Sequence, residues 1–237
     1  MLKKFKKIPI ISKDASYGKG VRIDNYCYIH PDHSDVAVTN NINMFPDFID
    51  REDITALIIE RSVPRIISQA FNEVSDLDGV MGCLFKNHGV GEYSKNSLNI
   101  KDANALAVLD VNIGKYHNYL TDMFEKIVDD CFSYRFKKYE FAGLTNKNDY
   151  LHVDDASCAL LSSVIGGGTR ILKNGKNIPY KKTSYSPEES EKIFREGNMI
   201  KVKDGNILIF KQLGLIEKPV VHMSPDAGVR CALVVYN

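Results

Sequence analysis

The sequence predicts an α+β protein with a mainly β core. Helical periodicity is concentrated in the first half of the chain, and short apolar strand patterns separated by turns dominate after Phe136. Helices followed by a run of strands are typical of α+β proteins whose strands form a sandwich or a barrel. No segment is long enough to be a linker, so we expect one domain over 1–237. Residues 1–135 would supply N-terminal strands and supporting helices, and 136–237 the β core.

In the first half, three short strands are predicted from "KIPIIS", "YCYIH" and "DVAVTN". Apolar residues at helical spacing in 45–62, namely Ile54, Leu57 and Ile58, predict a helix there. A second helix is expected from Pro64, because proline is favoured in the first helical turn. The strongest helical pattern covers 112–136.

In the second half, the segments between turns read as strands. These are "RFKKYEFAGL", "CALLSSVI", "NMIKVKDGNILIFK", "KPVVHMS" and "VRCALVVYN". The polar, lysine-rich residues 173–198 interrupt them, and we expect a surface insertion or lid with a short helix at Pro187–Phe194.

Composition excludes several classes of protein. The net charge is +1 and no basic stripe carries stacking aromatics, which argues against a nucleic-acid partner. Five scattered cysteines form no CxxC motif, which argues against a disulfide framework or a zinc ribbon. No signal peptide and no apolar run of about 20 residues is present, so we expect a soluble, cytoplasmic protein without a membrane partner. The oligomeric state stays open.

The segment "DYLHVDDASCALLSSVIGGGTRIL" carries the first candidate site. His152 and Asp154 are two residues apart, so on an extended segment both side chains point to one face. His222 lies in a later predicted strand. Two histidines and one carboxylate are the ligand set of non-haem Fe(II) oxygenases, which leaves three positions on the metal for a chelating co-substrate and O₂.

Arg230 follows His222 by eight residues, and the intervening "SPDAG" is a turn signal. We therefore expect a hairpin that places Arg230 on the strand beside His222. A guanidinium pairs bidentately with a carboxylate. A dicarboxylic acid such as 2-oxoglutarate could then chelate the metal at one end and pair with Arg230 at the other.

From His152 to Tyr236 the chain resembles the Fe(II)/2-oxoglutarate-dependent dioxygenase superfamily, through "HVD", "GGGT", "DGNILIF" and "VVHMSP…GVR". It is nearest to an uncharacterised bacterial family with HVD…GPGT…HRSP-like motifs. The resemblance implies a double-stranded β-helix (a cupin-like jelly roll) with the N-terminal helices packed on it. It implies His152, Asp154 and His222 as catalytic iron ligands and Arg230 as the residue that binds 2-oxoglutarate.

Two departures from the superfamily pattern matter. The gap between "HVD" and "GGGT" is shorter than in the prolyl-hydroxylase branch, so the other co-substrate residues of that branch do not map. Met223 follows His222 where the narrower family often has arginine.

Further residues are weaker candidates. Tyr139 and Thr169 could contact the co-substrate, as could Ser162 or Ser163, and Arg170 at the glycine turn could meet a substrate carboxylate. The "HPDH" segment at 30–33 also looks metal-like, but a surface turn explains it better.

The sequence thus predicts an Fe(II)/2-oxoglutarate oxygenase that uses O₂ to hydroxylate a small molecule, such as an amino acid or a natural-product intermediate. Desaturation and cyclisation stay open, whereas an aspartate ligand leaves no site for chloride and disfavours halogenation. One alternative is a cupin-like metalloenzyme that does not use 2-oxoglutarate. Another is a non-catalytic metal- or ligand-binding module.

Overall fold

The structure is a computed structural model. It describes residues 8–9, 21–22, 27–31, 33–44, 48, 51–87, 98–132, 138–142, 150–154, 156–172, 185–212, 216, 219–224 and 230–236. The helices of these ranges are α1 (Arg65–Glu73), α2 (Leu77–Asn87), α3 (Ile100–Phe132) and α4 (Pro187–Arg195), with a short 3-10 helix at Ile42–Met44. None of the helices in these ranges is long and apolar enough to cross a membrane.

Twelve strands are formed by the described residues. They are β1 (Ile8–Pro9), β2 (Val21–Arg22), β3 (Cys27–Ile29), β4 (Val36–Thr39), β5 (Ala56–Ile59), β6 (Lys138–Ala142), β7 (Cys158–Ile165), β8 (Arg170–Leu172), β9 (Met199–Lys201), β10 (Ile207–Lys211), β11 (His222–Met223) and β12 (Cys231–Tyr236).

The strands form two sheets. The large sheet has the order β1-β2-β3-β4-β5-β10-β7-β12-β6, and the small sheet has the order β11-β8-β9. Only the β4–β5 pair is parallel among the described strand pairs. A backbone bridge between His152 and His222 adds one more segment to the small sheet, beside β11. The fold is therefore mixed α+β with a sheet-rich core, as the sequence predicts.

The large sheet is covered on both faces. Alternate residues such as Leu160 and Ile209 belong to an apolar cluster shared with α1, α2 and α3, which we call the helix-facing cluster. Their neighbours Ala159 and Phe210 belong to a second cluster shared with Ile171 of the small sheet, which we call the inter-sheet cluster. Because successive side chains point to opposite faces of a strand, these strands pack one set of side chains against the helices and the other set against the small sheet.

Two of the predicted helices are confirmed and one extends further than expected. α1 begins directly after Pro64, as expected from the fixed φ of proline. α4 begins at Pro187 behind a capping box formed by Ser186 and Glu189. The long helix α3 starts at Ile100, before the strongest apolar pattern begins.

A buried carboxylate connects the helices at the start of α3. Asp102 accepts hydrogen bonds from the backbone N–H groups of Ser75 (2.7 Å) and Asp76 (3.1 Å) and from the Ser75 hydroxyl. The Asn99 amide donates a further bond to it at 2.7 Å. These donors, with the Ser75 N–H first, hold the pKa of Asp102 below its ordinary value. The carboxylate therefore ties the α1–α2 connection to the first turn of α3.

The helix predicted across 45–62 is wrong. Ala56–Ile59 form β5, a strand buried along its whole length between β4 and β10. The spacing of Ile54, Leu57 and Ile58 fits a helix, but a strand covered on both faces needs a continuous apolar run and no alternation. The run "ALII" is continuously apolar, so it fits a buried strand as well as it fits a helix.

The predicted hairpin between "PVVHMS" and "VRCALVVY" is also wrong. β11 pairs with β8 in the small sheet, whereas β12 pairs with β6 and β7 in the large sheet. The two strands therefore belong to different sheets.

Candidate metal centre and anion site

The two histidines of the candidate metal site are direct neighbours across the small sheet. The His152 N–H donates to the His222 carbonyl at 2.9 Å, and the His222 N–H donates to the His152 carbonyl at 3.0 Å. Residues opposed in this way project their side chains to the same face. The imidazole centroids accordingly lie 4.3 Å apart.

Asp154 completes the cluster. Its Oδ2 lies 3.3 Å from His222 Nε2, and its Oδ1 lies 3.6 Å from His152 Nε2. One ligand atom from each of His152, Asp154 and His222 lies within 4.8 Å of the other two. Residues at positions i and i+2 therefore do reach a common point with the distant histidine.

Protonation in the cluster suits a metal. His152 Nδ1 faces the Tyr150 carbonyl at 2.7 Å, so this nitrogen carries the proton and Nε2 keeps its lone pair. Burial, together with the adjacent His222, lowers the pKa of His152, which favours the neutral ring that a metal binds. Burial alone would raise the pKa of Asp154, but the hydrogen bond and charge of His222 outweigh it and the pKa is lowered. Asp154 is therefore a carboxylate at neutral pH.

Access to the cluster is one-sided. The His222 side chain is 6% exposed and its ring lies 4.7 Å from the ring of Phe210, a member of the inter-sheet cluster. The Asp154 side chain is 41% exposed. A small molecule would therefore approach the cluster from the side of Asp154.

Arg230, directly before β12, is a buried cation. Its Nη1 donates to the Ser224 hydroxyl at 2.9 Å, and its Nη2 donates to Thr169 at 2.9 Å and to Ser163 at 3.2 Å. Its Nε is buried without a partner, and within the described residues the guanidinium forms no ion pair. Burial lowers the pKa of Arg230 to about 10, and the nearby Asp204 offsets part of this effect. A buried guanidinium whose described partners are hydroxyls has the capacity to pair with an anion.

Arg230 is connected to the segment of the metal cluster through Ser224. Ser224 accepts a hydrogen bond from Arg230 and follows His222 by two residues. Two residues of extended chain span about 7 Å. The connection is formed between the two sheets and not within the expected hairpin.

The glycine turn at 166–168 positions Thr169 for its hydrogen bond with Arg230. Gly166 and Gly167 have φ of 91° and 93°, a region that favours glycine. A Cβ on Gly168 would lie 1.7 Å from the Val202 carbonyl oxygen, so only glycine fits there. The turn thus packs against the end of β9 and presents Thr169 to the guanidinium.

The weaker candidates occupy different places. Arg170 lies on the face of the small sheet opposite Ile171, with its guanidinium 4.3 Å from the ring centroid of Phe194 in α4. Tyr139 pairs in register with Val235, a residue of the helix-facing cluster. Roles for these two residues in ligand binding stay predictions. Ser162 contacts the Tyr116 hydroxyl at 3.3 Å, so of the two serines it is Ser163 that reaches Arg230.

The expectation of a surface "HPDH" turn is wrong. His30 and His33 are both buried. His33 Nε2 lies 2.6 Å from the Leu172 carbonyl, and its Nδ1 pairs with the Asp35 carboxylate. These polar partners satisfy the ring and explain how it is buried.

Sequence reasoning missed Ser224 and Gln212. Ser224 follows His222 at strand spacing, a signal that could have identified it as a second residue on the same face. Gln212 follows β10 and is fully buried. Nothing in the sequence distinguishes it from a surface glutamine.

Comparisons with known proteins add little. No family model and no curated protein matches the chain. Among solved structures, the chain is similar to "Oxidoreductase, 2OG-Fe(II) oxygenase family, from Burkholderia pseudomallei", with 11% identity and a TM-score of 0.33. The match covers 83% of this chain and 88% of that one. These values are too low to carry a conclusion about activity.

Proposed function

We propose that this protein is an Fe(II)/2-oxoglutarate-dependent oxygenase that hydroxylates a small molecule. The observation that carries the proposal is the buried Arg230, which has hydroxyl partners but no ion pair among the described residues and which contacts Ser224, two residues after His222 of the His152–Asp154–His222 cluster. A metal cluster beside an unpaired buried cation suits a chelating ligand with a second negative charge.

The proposal includes a double-stranded β-helix over residues 136–237, with 1–135 packed on it as one domain. In support, the chain alternates between the sheets: β6, β7, β10 and β12 lie in the large sheet, and the His152 segment, β8, β9 and β11 in the small one. Both sheets contribute to the inter-sheet cluster. This alternation is what two Greek-key halves of a jelly roll require.

The residues fit the iron and the co-substrate. His152, Asp154 and His222 would hold Fe(II) through two imidazoles and a carboxylate. When bound, Fe(II) and 2-oxoglutarate supply O₂ activation, in which the co-substrate is oxidised to succinate and CO₂ and a C–H bond is oxidised. Arg230, with Thr169 and Ser163 around it, would orient the distal carboxylate, and Phe210 would shield His222 from water.

Asp154 would occupy the coordination position that a halide needs, so hydroxylation and not halogenation is the proposed outcome. Desaturation and cyclisation are alternative reactions that the same site could perform. The exposed side of Asp154 is the approach for the substrate, an amino acid or a related small molecule.

The test is an anaerobic titration of metal-free protein with Fe(II) and then 2-oxoglutarate, followed by visible absorption. We expect a weak charge-transfer band that is absent from His222→Ala, and succinate formation when air is admitted. Fe(II) binding without the band would refute the use of 2-oxoglutarate and favour a cupin-like metalloenzyme. Failure to bind any metal would refute the metal site itself and favour a non-catalytic module.

A further inference from the structure

Gln212 is unusual because its carboxamide is buried and forms no hydrogen bond with the described residues. It is 0% exposed, and both its Oε1 and its Nε2 are buried without a hydrogen-bond partner in the described part of the chain. A buried carboxamide without partners loses its bonds to water and gains none. Such a group in a folded protein calls for an explanation.

The β10 ladder shows which way Gln212 points. The Gln212 N–H donates to the Ser157 carbonyl at 2.9 Å, which continues the pairing of Lys211 with Cys158 by one residue. Side chains two residues apart on a strand share a face. Gln212 therefore points the same way as Phe210, a member of the inter-sheet cluster, toward the small sheet.

Gln212 also lies near the metal cluster. Phe210, two residues before Gln212 on the same face of the strand, has its ring 4.7 Å from the ring of His222. Two residues of strand span about 7 Å. A molecule bound at the cluster would therefore lie within a few ångströms of the direction in which Gln212 points.

We propose that Gln212 recognises the substrate through its carboxamide, and that the substrate carries a primary amide or a lactam. This assignment rests on the proposed function, since it names the substrate class of the same site. A carboxylate only accepts, and an ammonium only donates, so either would leave half of Gln212 unpaired. A primary amide or lactam presents an N–H and a C=O side by side and pairs with both atoms at once.

The first test is the stability of the metal-free protein. Gln212→Leu and the unbranched Gln212→Met remove a buried amide that has no partner among the described residues, so we expect the Tm to rise by about 2 °C or more. Asn206→Leu is the matched control, because the Asn206 amide is buried but accepts from the Arg61 N–H at 3.0 Å. Its Tm should fall by several degrees, about 2–4 °C or more. A fall of similar size in both Gln212 variants would overturn the proposal.

The second test uses 2-pyrrolidone, a lactam, and γ-butyrolactone, in which oxygen replaces the N–H. Wild-type protein should bind the lactam about tenfold to a hundredfold more tightly, measured by NMR titration with and without Fe(II) and 2-oxoglutarate. Gln212→Met should lose this preference and keep the anaerobic charge-transfer band. Equal binding of the two probes by wild type would overturn the amide assignment. Absence of the band in wild type would instead overturn the proposed function, and lactam binding to metal-free protein would still report on Gln212.

Discussion

Replacement of Arg230 by methionine removes a buried charge while keeping much of the side-chain volume. Burial lowers the pKa of Arg230 from 12.5 to about 10, which at about 1.4 kcal/mol per pH unit is a penalty of roughly 3 kcal/mol. The guanidinium is charged at neutral pH in the folded and unfolded states alike. The penalty is therefore present at every pH below about 10 and shrinks only between about 10 and 12.5.

In the metal-free protein the hydrogen bonds of the guanidinium offset this desolvation penalty. Arg230 donates to three hydroxyls, each bond worth about 1 kcal/mol. The two contributions nearly cancel, so we expect Arg230→Met to change the free energy of unfolding by about 1 kcal/mol or less. A bound carboxylate relieves the penalty only in the wild type. The affinity for 2-oxoglutarate should thus fall by about 3 kcal/mol, or roughly 100-fold.

The assay is anaerobic titration of the Fe(II)-loaded proteins, followed by the charge-transfer band. 2-Oxobutyrate keeps the chelating end of 2-oxoglutarate and lacks the distal carboxylate, so its affinity should be nearly the same for wild type and Arg230→Met. Arg170→Met is the matched control, because that arginine is buried against Phe194 on the opposite face of the small sheet. It should change 2-oxoglutarate affinity by less than about twofold.

A loss below about threefold for 2-oxoglutarate, or an equal loss for 2-oxobutyrate, would refute the role of Arg230 as the anion site. An equal loss in Arg170→Met would show that general damage to the small sheet, and not the guanidinium, weakens binding.

Three further changes, and one control for the last of them, test other features of the structure. Asp154→Asn should weaken Fe(II) or Co(II) binding by at least about 100-fold in equilibrium titration, because a neutral amide is a poor replacement for a carboxylate ligand. Asp102→Asn should lower the free energy of unfolding in urea at neutral pH, because the hydrogen-bond donors around Asp102 stabilise its charged form. The difference between wild type and Asp102→Asn should shrink as the pH falls below the ordinary value of 3.8 and through the lowered pKa of Asp102. Gly168→Ala should cost about 3 kcal/mol or more in urea unfolding, since its Cβ would lie 1.7 Å from a carbonyl oxygen. Gly197→Ala, with φ of +69° and open space around the Cβ, should cost only about 1–2 kcal/mol.

Each of these has a contrary outcome. Unchanged metal binding in Asp154→Asn would remove it from the ligand set, with the exposed Asp53→Asn as the control for loss of an acid outside the cluster. If the stability of Asp102→Asn depended on pH in the same way as that of wild type, the Asp102 carboxylate would not be the group whose protonation destabilises the protein. Equal costs at the two glycines would mean that the Val202 carbonyl can move aside, so that this contact does not restrict position 168 to glycine.

The local features of the site were predictable from the sequence, and the distant ones were not. His152 and Asp154 share a face because two residues of extended chain return to the same side, a rule that needs no tertiary information. The hairpin expected between His222 and Arg230 was wrong, because β11 and β12 belong to different sheets. A turn signal such as "SPDAG" predicts a change of chain direction, but it does not predict which sheet the next strand joins.

Strand and helix were confused where burial was complete. Around Ile58 the apolar residues satisfy a helical period and a continuous strand run at once, and only the neighbours β4 and β10 decide between them. In α1, by contrast, Pro64 gave a boundary that does not depend on the rest of the fold.

The paired main-chain hydrogen bonds between His152 and His222 have a consequence for how such a protein would acquire its metal. Because main-chain hydrogen bonds place the two imidazoles side by side, we expect the proposed metal to enter a site whose histidine ligands are already adjacent. Removal and reloading of that metal should then be possible without refolding of the chain.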